Sequence, residues 1–290
     1  MSADQFAPGI EGLFDLDAKV YHDHGKAPGV SRSVLVEMLE FSARHARSLV
    51  DGSYKKKATA AMNGGSLVDM ALLEPHKFKE GMSHWVVPAG MSLATKEGIA
   101  WKKDHPREGP GGLPYMRAET DAEDEVSVVD MANIIESIMA YKEARYIVER
   151  ATKQESCFCV DPGTGLMRKV RPDARLFESQ LVLADLKVTF RGGVTEKAWA
   201  AQCAREMYHV QDSFYSDTYK DLLGEKVYFV FIVVERKHPY VCRVFQLDPL
   251  AKQNARDKYR AALDQFKQCQ ETGVWPAYEG IKVISLPRWA

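Results

Sequence analysis

Leu181-Val182-Leu183-Ala184-Asp185-Leu186-Lys187 is an apolar run that ends in two charges. Strand alternation puts Leu181, Leu183, Asp185 and Lys187 on one face and Val182, Ala184 and Leu186 on the other. A carboxylate and an ammonium therefore point the same way from the end of a strand whose other residues require burial. Twelve residues before Asp185, the turn-like Arg171-Pro172-Asp173 supplies a second carboxylate. An Asp-x-Lys pair on a surface strand is an ion pair of little weight. On a buried strand the same pair must be neutralised or hold a metal. Oxygen-rich sites with few protein ligands suit Mg²⁺, which commonly works on phosphates. The order of parts is a strand, Arg-Pro-Asp, an apolar strand ending in Asp-x-Lys, then a helix. It reads as a metal-dependent phosphodiesterase centre.

Upstream, Glu155 to Val160 and Leu166 to Val170 read as two strands joined by the turn residues Asp161-Pro162-Gly163-Thr164-Gly165. Downstream, a helical stretch is expected from about Thr195 to Leu223. A hairpin then runs over Lys226 to Arg236 and Tyr240 to Leu247, and Val227 to Val234 has the β-branched and aromatic content of a buried strand. A helix over Pro249 to Glu271 and a last strand near Ile281 to Ile284 complete the pattern. In the first half, Ser31 reads as the N-cap of a helix reaching about Leu49. A second helix, about Ala58 to Glu74, stops before Pro75. Two more occupy about Ala122 to Thr152. Asp104 to Pro114 is a loop, and the first residues are weakly patterned. The expectation is an α/β (α+β) protein: a mixed central sheet flanked by helices, with a helical N-terminal half. Residues 1–30 form an arm and 31–290 one domain.

Composition narrows the class. No run approaches the roughly 20 apolar residues of a membrane helix, and the N-terminus lacks signal-peptide character, so a cytoplasmic protein is expected. The five cysteines are scattered, and neither they nor the eight histidines show zinc spacing. A formal net charge of −1 argues against a passive nucleic-acid coat but leaves room for a local basic channel. Lys55-Lys56-Lys57, Arg168-Lys169-x-Arg171 and Arg191 are its candidates, though such clusters are usually solvated faces. No glycine-rich phosphate loop or dinucleotide fingerprint supports a metabolic α/β enzyme.

Tyr208-x-x-Gln211-x-x-x-Tyr215 follows the charged strand. Offsets of three and seven place all three side chains on one helical face. Directly after a metal strand, Gln211 could reach a water or phosphate there, and the tyrosines could pack on a nucleotide.

With these blocks in order, the chain resembles the RecE-type exonucleases (exonuclease VIII) of the PD-(D/E)XK nuclease superfamily. The resemblance rests on Ser31-x-Ser33, on Gly65 to Leu72-Leu73-Glu74-Pro75, and on the hairpin from Glu155 through Arg171-Pro172-Asp173. Asp185-Leu186-Lys187, Tyr208-x-x-Gln211-x-x-x-Tyr215, Trp275-x-x-Tyr278 and Leu286-Pro287-x-Trp289 extend it, so that it covers residues 31 to 289. The chain departs from the family pattern at Asp69, where histidine is usual, and at Val188, where threonine often follows the lysine.

The resemblance implies a restriction-endonuclease-like core and a Mg²⁺-dependent 5′-to-3′ exodeoxyribonuclease, with Mn²⁺ also supporting activity. Its substrate would be linear double-stranded DNA, left with 3′ single strands for annealing-type recombination. Asp173, Asp185, the Leu186 carbonyl and Asp69 would hold metal. Lys187 would act on the attacking water and the transition state, with Gln211 orienting water or phosphate. Tyr208, Tyr215, Arg171 and Arg191 would contact DNA. A ring-forming homo-oligomer, a RecT-type single-strand annealing partner and a phage or prophage source are also implied. The alternatives are a structure-specific endonuclease on the same fold and a catalytically inactive DNA-binding relative, which the Asp69 substitution favours.

Overall fold

A computed structural model of the chain describes residues 6–54, 59–78, 86–106, 115–120, 125–189 and 193–286. Arg191, Lys55 to Lys57 and the terminal Trp289 lie outside the described residues.

The chain from Thr152 onward builds the frame of the site. Strands β4 (Thr152–Lys153), β7 (Ala174–Phe177), β8 (Leu181–Thr189), β9 (Val227–Glu235) and β10 (Cys242–Phe245) form a five-stranded sheet in the order β10-β9-β8-β7-β4. β8 runs parallel to β9, and the other pairs are antiparallel. Central β8 and β9 are buried on both faces, as their β-branched and aromatic residues require. Leu181, Leu183, Phe229, Phe231 and Val233 enter one core. Ala184, Leu186, Val230, Ile232 and Val234 enter the other. The expected alternation of β8 is thus realised, and Asp185 lies on the first face.

Helices cover both faces. Helix α8 (Glu196–Arg205), α9 (Tyr208–Leu223) and α10 (Pro249–Thr272) share the first core with α2 (Arg32–Glu40) and α3 (Ala43–Val50). The second core is closed by α4 (Ala60–Leu73), α6 (Val128–Ala140) and α7 (Lys142–Arg150). A short α5 (Lys96–Asp104) and the parallel pair β2 (Val86–Val87) and β3 (Met116–Arg117) lie between α4 and α6 in the chain. This is the mixed sheet between helices that a restriction-endonuclease-like core requires.

Four expectations change. The N-terminal arm contains β1 (Gly12–Phe14) and α1 (Ala18–His22), and β1 joins β5 (Ser156–Val160) and β6 (Met167–Val170) in a second antiparallel sheet. Phe14 and Tyr21 pack there against Phe158. The helix expected from Ser31 to Leu49 is two helices. Ser42 caps the second through its side chain, whereas the Ser31 side chain makes no capping bond. The helical stretch from Thr195 breaks at Met207, whose φ is 50°. Finally, Ile281 to Ile284 forms no strand: the segment is unpaired, with Ile281 and Val283 almost fully exposed.

Arg168 also departs from the basic-channel reading. It is fully buried, 2.7 Å from Asp221 and 3.5 Å from Asp161, which Arg260 also contacts at 2.6 Å. Its charge serves the fold. Arg168→Ala strands the wholly buried Asp161 with one cation fewer, so it should lower unfolding stability by about 3 kcal/mol or more. Urea denaturation would measure the loss.

Candidate active site

The chain passes twice between the two sheets, and both crossings meet at one point. Gln154 connects β4 to β5 in the left-handed conformation, with φ 53°. Arg171, Pro172 and Asp173 connect β6 to β7. At the crossing the Gln154 amide donates to the Asp173 carbonyl at 3.1 Å, and its side-chain Nε2 donates to Asp173 Oδ1 at 3.1 Å. Arg171 Nε donates to Gln154 Oε1 at 3.1 Å, and its Nη1 donates to Leu16 O and Ser156 Oγ. Three of the five guanidinium donors thus hold the crossover.

Asp173 lands beside β8 for a geometric reason. The β7–β8 ladder ends at Ala174 and Ala184, so β8 continues past the end of its neighbour. The Leu186 amide, left without a strand partner on that side, donates to Asp173 Oδ2 at 2.7 Å. Asp185 and Lys187 flank that amide on the opposite face. Asp185 is 3% exposed. Its Oδ1 accepts from Gln211 Nε2 on α9, and its Oδ2 faces the Lys187 ammonium as an ion pair. No aligned hydrogen bond reaches that second oxygen. The Gln211 amide thus fixes Asp185 from within the core.

Asp69 approaches from α4, on the other face of the sheet. It feels the charges of Asp173, Asp185 and Lys187. Burial, then repulsion from Asp173, push its pKa well above the ordinary carboxylate value. Burial and Asp185 lift Asp173 to about 7, against the opposing effects of Lys187 and the Leu186 amide. Burial alone would lower Lys187, but Asp185, Tyr208 and Asp173 outweigh it and keep the ammonium protonated above its usual range. The group is an acidic centre with too little positive charge.

That deficit bears on metal. Among the described residues, no three His, Cys, Asp or Glu side chains form a preformed cage. The donors that do converge are hard oxygens, one of them lacking an aligned partner, and burial followed by the repulsion of a neighbouring carboxylate raises the pKa of two of the carboxyls. Such a set fits a hard divalent cation that keeps several waters. Asp173, Asp185, Asp69 and the Leu186 carbonyl are the groups able to hold it.

A cleft of about 1760 Å³ opens onto Asp69, Leu186 and Lys187. Tyr208 and Tyr215 line it, as the helical spacing requires. Tyr208 stacks on Trp199 with ring centroids 5.5 Å apart, and its face receives Lys187 Nζ at 4.9 Å and the Arg32 guanidinium at 5.7 Å. Tyr215 is 9% exposed and packs edge-on to Phe229. Glu155 clamps Arg175 through two hydrogen bonds. Gln154, Arg32 and Trp199 carry no sequence signal of their own. Only the αL crossover, the cleft and the break at Met207 bring them to the site.

A mixed sheet carrying an Asp beside an Asp-x-Lys strand defines a protein of the PD-(D/E)XK class. The chain belongs to the family described as "PDDEXK-like domain of unknown function (DUF3799)", whose model matches residues 31–286. Nucleases of that superfamily generally use divalent metal ions. Among solved structures, the crystal structure of a candidate exonuclease from Eubacterium rectale is similar at TM-score 0.61 and 13% identity. The alignment covers 94% of this chain and 96% of that one. At that identity the likeness is one of fold. The structure of SSO0001 aligns at TM-score 0.27 and 12% identity, over 82% of this chain and 84% of its own, and carries no argument. No curated protein matches the sequence.

Proposed function

We propose that the chain is a Mg²⁺-dependent exodeoxyribonuclease that digests linear double-stranded DNA from 5′ to 3′, leaving 3′ single strands for annealing-type recombination. The reading is carried by the meeting of Asp173, Asp185 and Lys187 around the Leu186 amide, with Leu186, Lys187 and Asp69 lining a large cleft. The exonuclease direction and the recombination role rest on the resemblance to RecE-type enzymes. So do the ring-shaped oligomer and the RecT-type partner.

A divalent ion held by Asp173, Asp185, Asp69 and the Leu186 carbonyl would supply Lewis-acid polarisation of the phosphodiester and neutralise developing charge. Lys187 brings an ammonium to the same point, where it stabilises negative charge on the phosphoryl oxygens. Gln211 holds the Asp185 carboxylate in one rotamer, and Gln154 does the same for Asp173. The Tyr208 ring, backed by Trp199, keeps Lys187 aimed into the cleft through a cation–π contact.

The test is incubation with linear duplex DNA and with closed circular DNA, each with Mg²⁺ and with chelator. The expected result is progressive loss of the linear duplex in Mg²⁺ alone, from ends labelled at the 5′ side, while the circle stays intact. Cutting of the circle would instead assign an endonuclease. DNA binding without any product would assign an inactive relative.

A further inference from the structure

One end of the cleft stands over two cations, the buried Lys169 and the half-buried Arg171, that form no ion pair among the described residues. Lys169 is 1% exposed. Its ammonium donates to the carbonyls of Tyr21 at 2.9 Å and Ala27 at 2.7 Å, and lies 5.2 Å from the centre of the Tyr21 ring. Arg171 lies 5.7 Å from the same ring. Among the described residues neither takes part in an ion pair. Carbonyl dipoles solvate these charges without cancelling them, and an unpaired buried cation is costly. Burial brings Lys169 down to about 8.

Above them the chain turns through His22, Asp23 and His24, all lining the cleft that also contains Asp69 and Lys187. The His22 ring meets only that of Tyr21 among the described residues. The Asp23 carboxylate does not offset the field fully, because its Oδ1 accepts from the amides of Gly25 and Lys26. The groups facing His22 are Lys169, Arg171 and His24, and the first two oppose its protonation, after burial. The carboxylates that act on these cations, Asp23 on Lys169 and Glu74, Asp15 and Asp17 on Arg171, do so without an ion pair, which leaves room for an anion in direct contact.

We propose that His22 and His24, backed by Lys169 and Arg171, form a phosphate-binding site for the DNA strand that enters the cleft. This rests on the nuclease reading and extends it by assigning the N-terminal segment to the substrate. An arriving phosphate supplies the missing anion, accepts a hydrogen bond from an imidazole, and makes protonation of that imidazole easier. Arg171 acts here through its charge more than by reaching out, since most of its donors hold the crossover. The local pairing of β1 with β5 fixes the segment in place.

The experiment is equilibrium binding of a short labelled duplex in Ca²⁺ at several salt concentrations, at pH 6 and pH 8. The unaltered protein, the His22→Ala/His24→Ala double variant and His22→Arg are compared. His238→Ala, on the exposed β9–β10 turn, serves as control. The double variant should bind roughly tenfold more weakly at pH 6, with a salt slope shallower by about one, and the deficit should shrink at pH 8. His22→Arg should tighten binding at both pH values, and the control should change nothing. If the unaltered protein binds and both histidine variants match it in affinity and slope, the site is overturned while the nuclease reading stands. If the unaltered protein binds no DNA, it is the nuclease reading that fails.

Discussion

Lys187→Ala should lower the single-turnover rate of linear-duplex digestion by about 10³-fold, the scale on which one preorganised electrostatic group is lost. The same variant should bind Mn²⁺ or Mg²⁺ more tightly than the unaltered protein. Removing the ammonium leaves Asp69, Asp173 and Asp185 with no cation among them, so their attraction for a divalent ion rises. Asp185→Asn should also abolish digestion, but with the opposite effect on metal. The amide keeps the space and the Gln211 contact, yet removes the negative charge, so affinity for the ion falls. Calorimetric metal titration beside the digestion assay separates the two. A Lys187→Ala protein that digests DNA at the normal rate would remove the ammonium from the chemistry. Loss of metal binding in that same variant would mean that the lysine shapes the site rather than acts in it.

Stability without metal should fall as pH rises across neutrality. In the folded protein Asp173 titrates at about 7, against an ordinary value of 3.8, and Asp69 is raised as well. A carboxyl whose pKa is raised by folding binds more protons in the folded state than in the unfolded chain between those two values. Its contribution is complete below about pH 4 and is lost as pH climbs through about 7. Asp173 keeps some access to solvent, so the loss is discounted to the order of 2 kcal/mol. In chelator, the melting temperature should therefore drop by several degrees between pH 5.5 and pH 8. Adding Mg²⁺ should restore more at pH 8 than at pH 5.5, because the ligands must shed protons to bind it. Melting curves that stay flat with pH in chelator, or a Mg²⁺ effect larger at pH 5.5, would contradict the repulsive acidic centre.

Much of this centre is legible in one strand. The period-two pattern of Leu181 to Lys187 fixes which side chains share a face, and burial of β8 on both sides buries Asp185 and half-buries Lys187. Offsets within Tyr208 to Tyr215 likewise determine that Gln211 and both tyrosines lie on one side of α9. Other features have no local signature. Gln154 adopts a left-handed backbone without being glycine, asparagine or aspartate, and only the crossing of two sheets explains it. The break at Met207 lacks glycine and proline, so helical periodicity runs straight through it. β1 is three residues long, too short for alternation to register, and exists because β5 offers it an edge. Ile281 to Ile284 has strand composition, but nothing among the described residues pairs with it. Arg168 illustrates the converse: a basic cluster in sequence resolves into one buried ion-pair partner, one buried cation and one crossover clamp.

The central claim is that Asp173 and Asp185, remote in the chain, share one divalent ion beside Leu186. Soaking crystals of the protein with Mn²⁺ and locating the metal by its anomalous scattering tests it directly. A peak is expected within coordination distance of both carboxylates and the Leu186 carbonyl, with Asp69 turned toward it. Mn²⁺ bound elsewhere, with Asp185 still closed onto Lys187 and Asp173 onto Leu186, would contradict it.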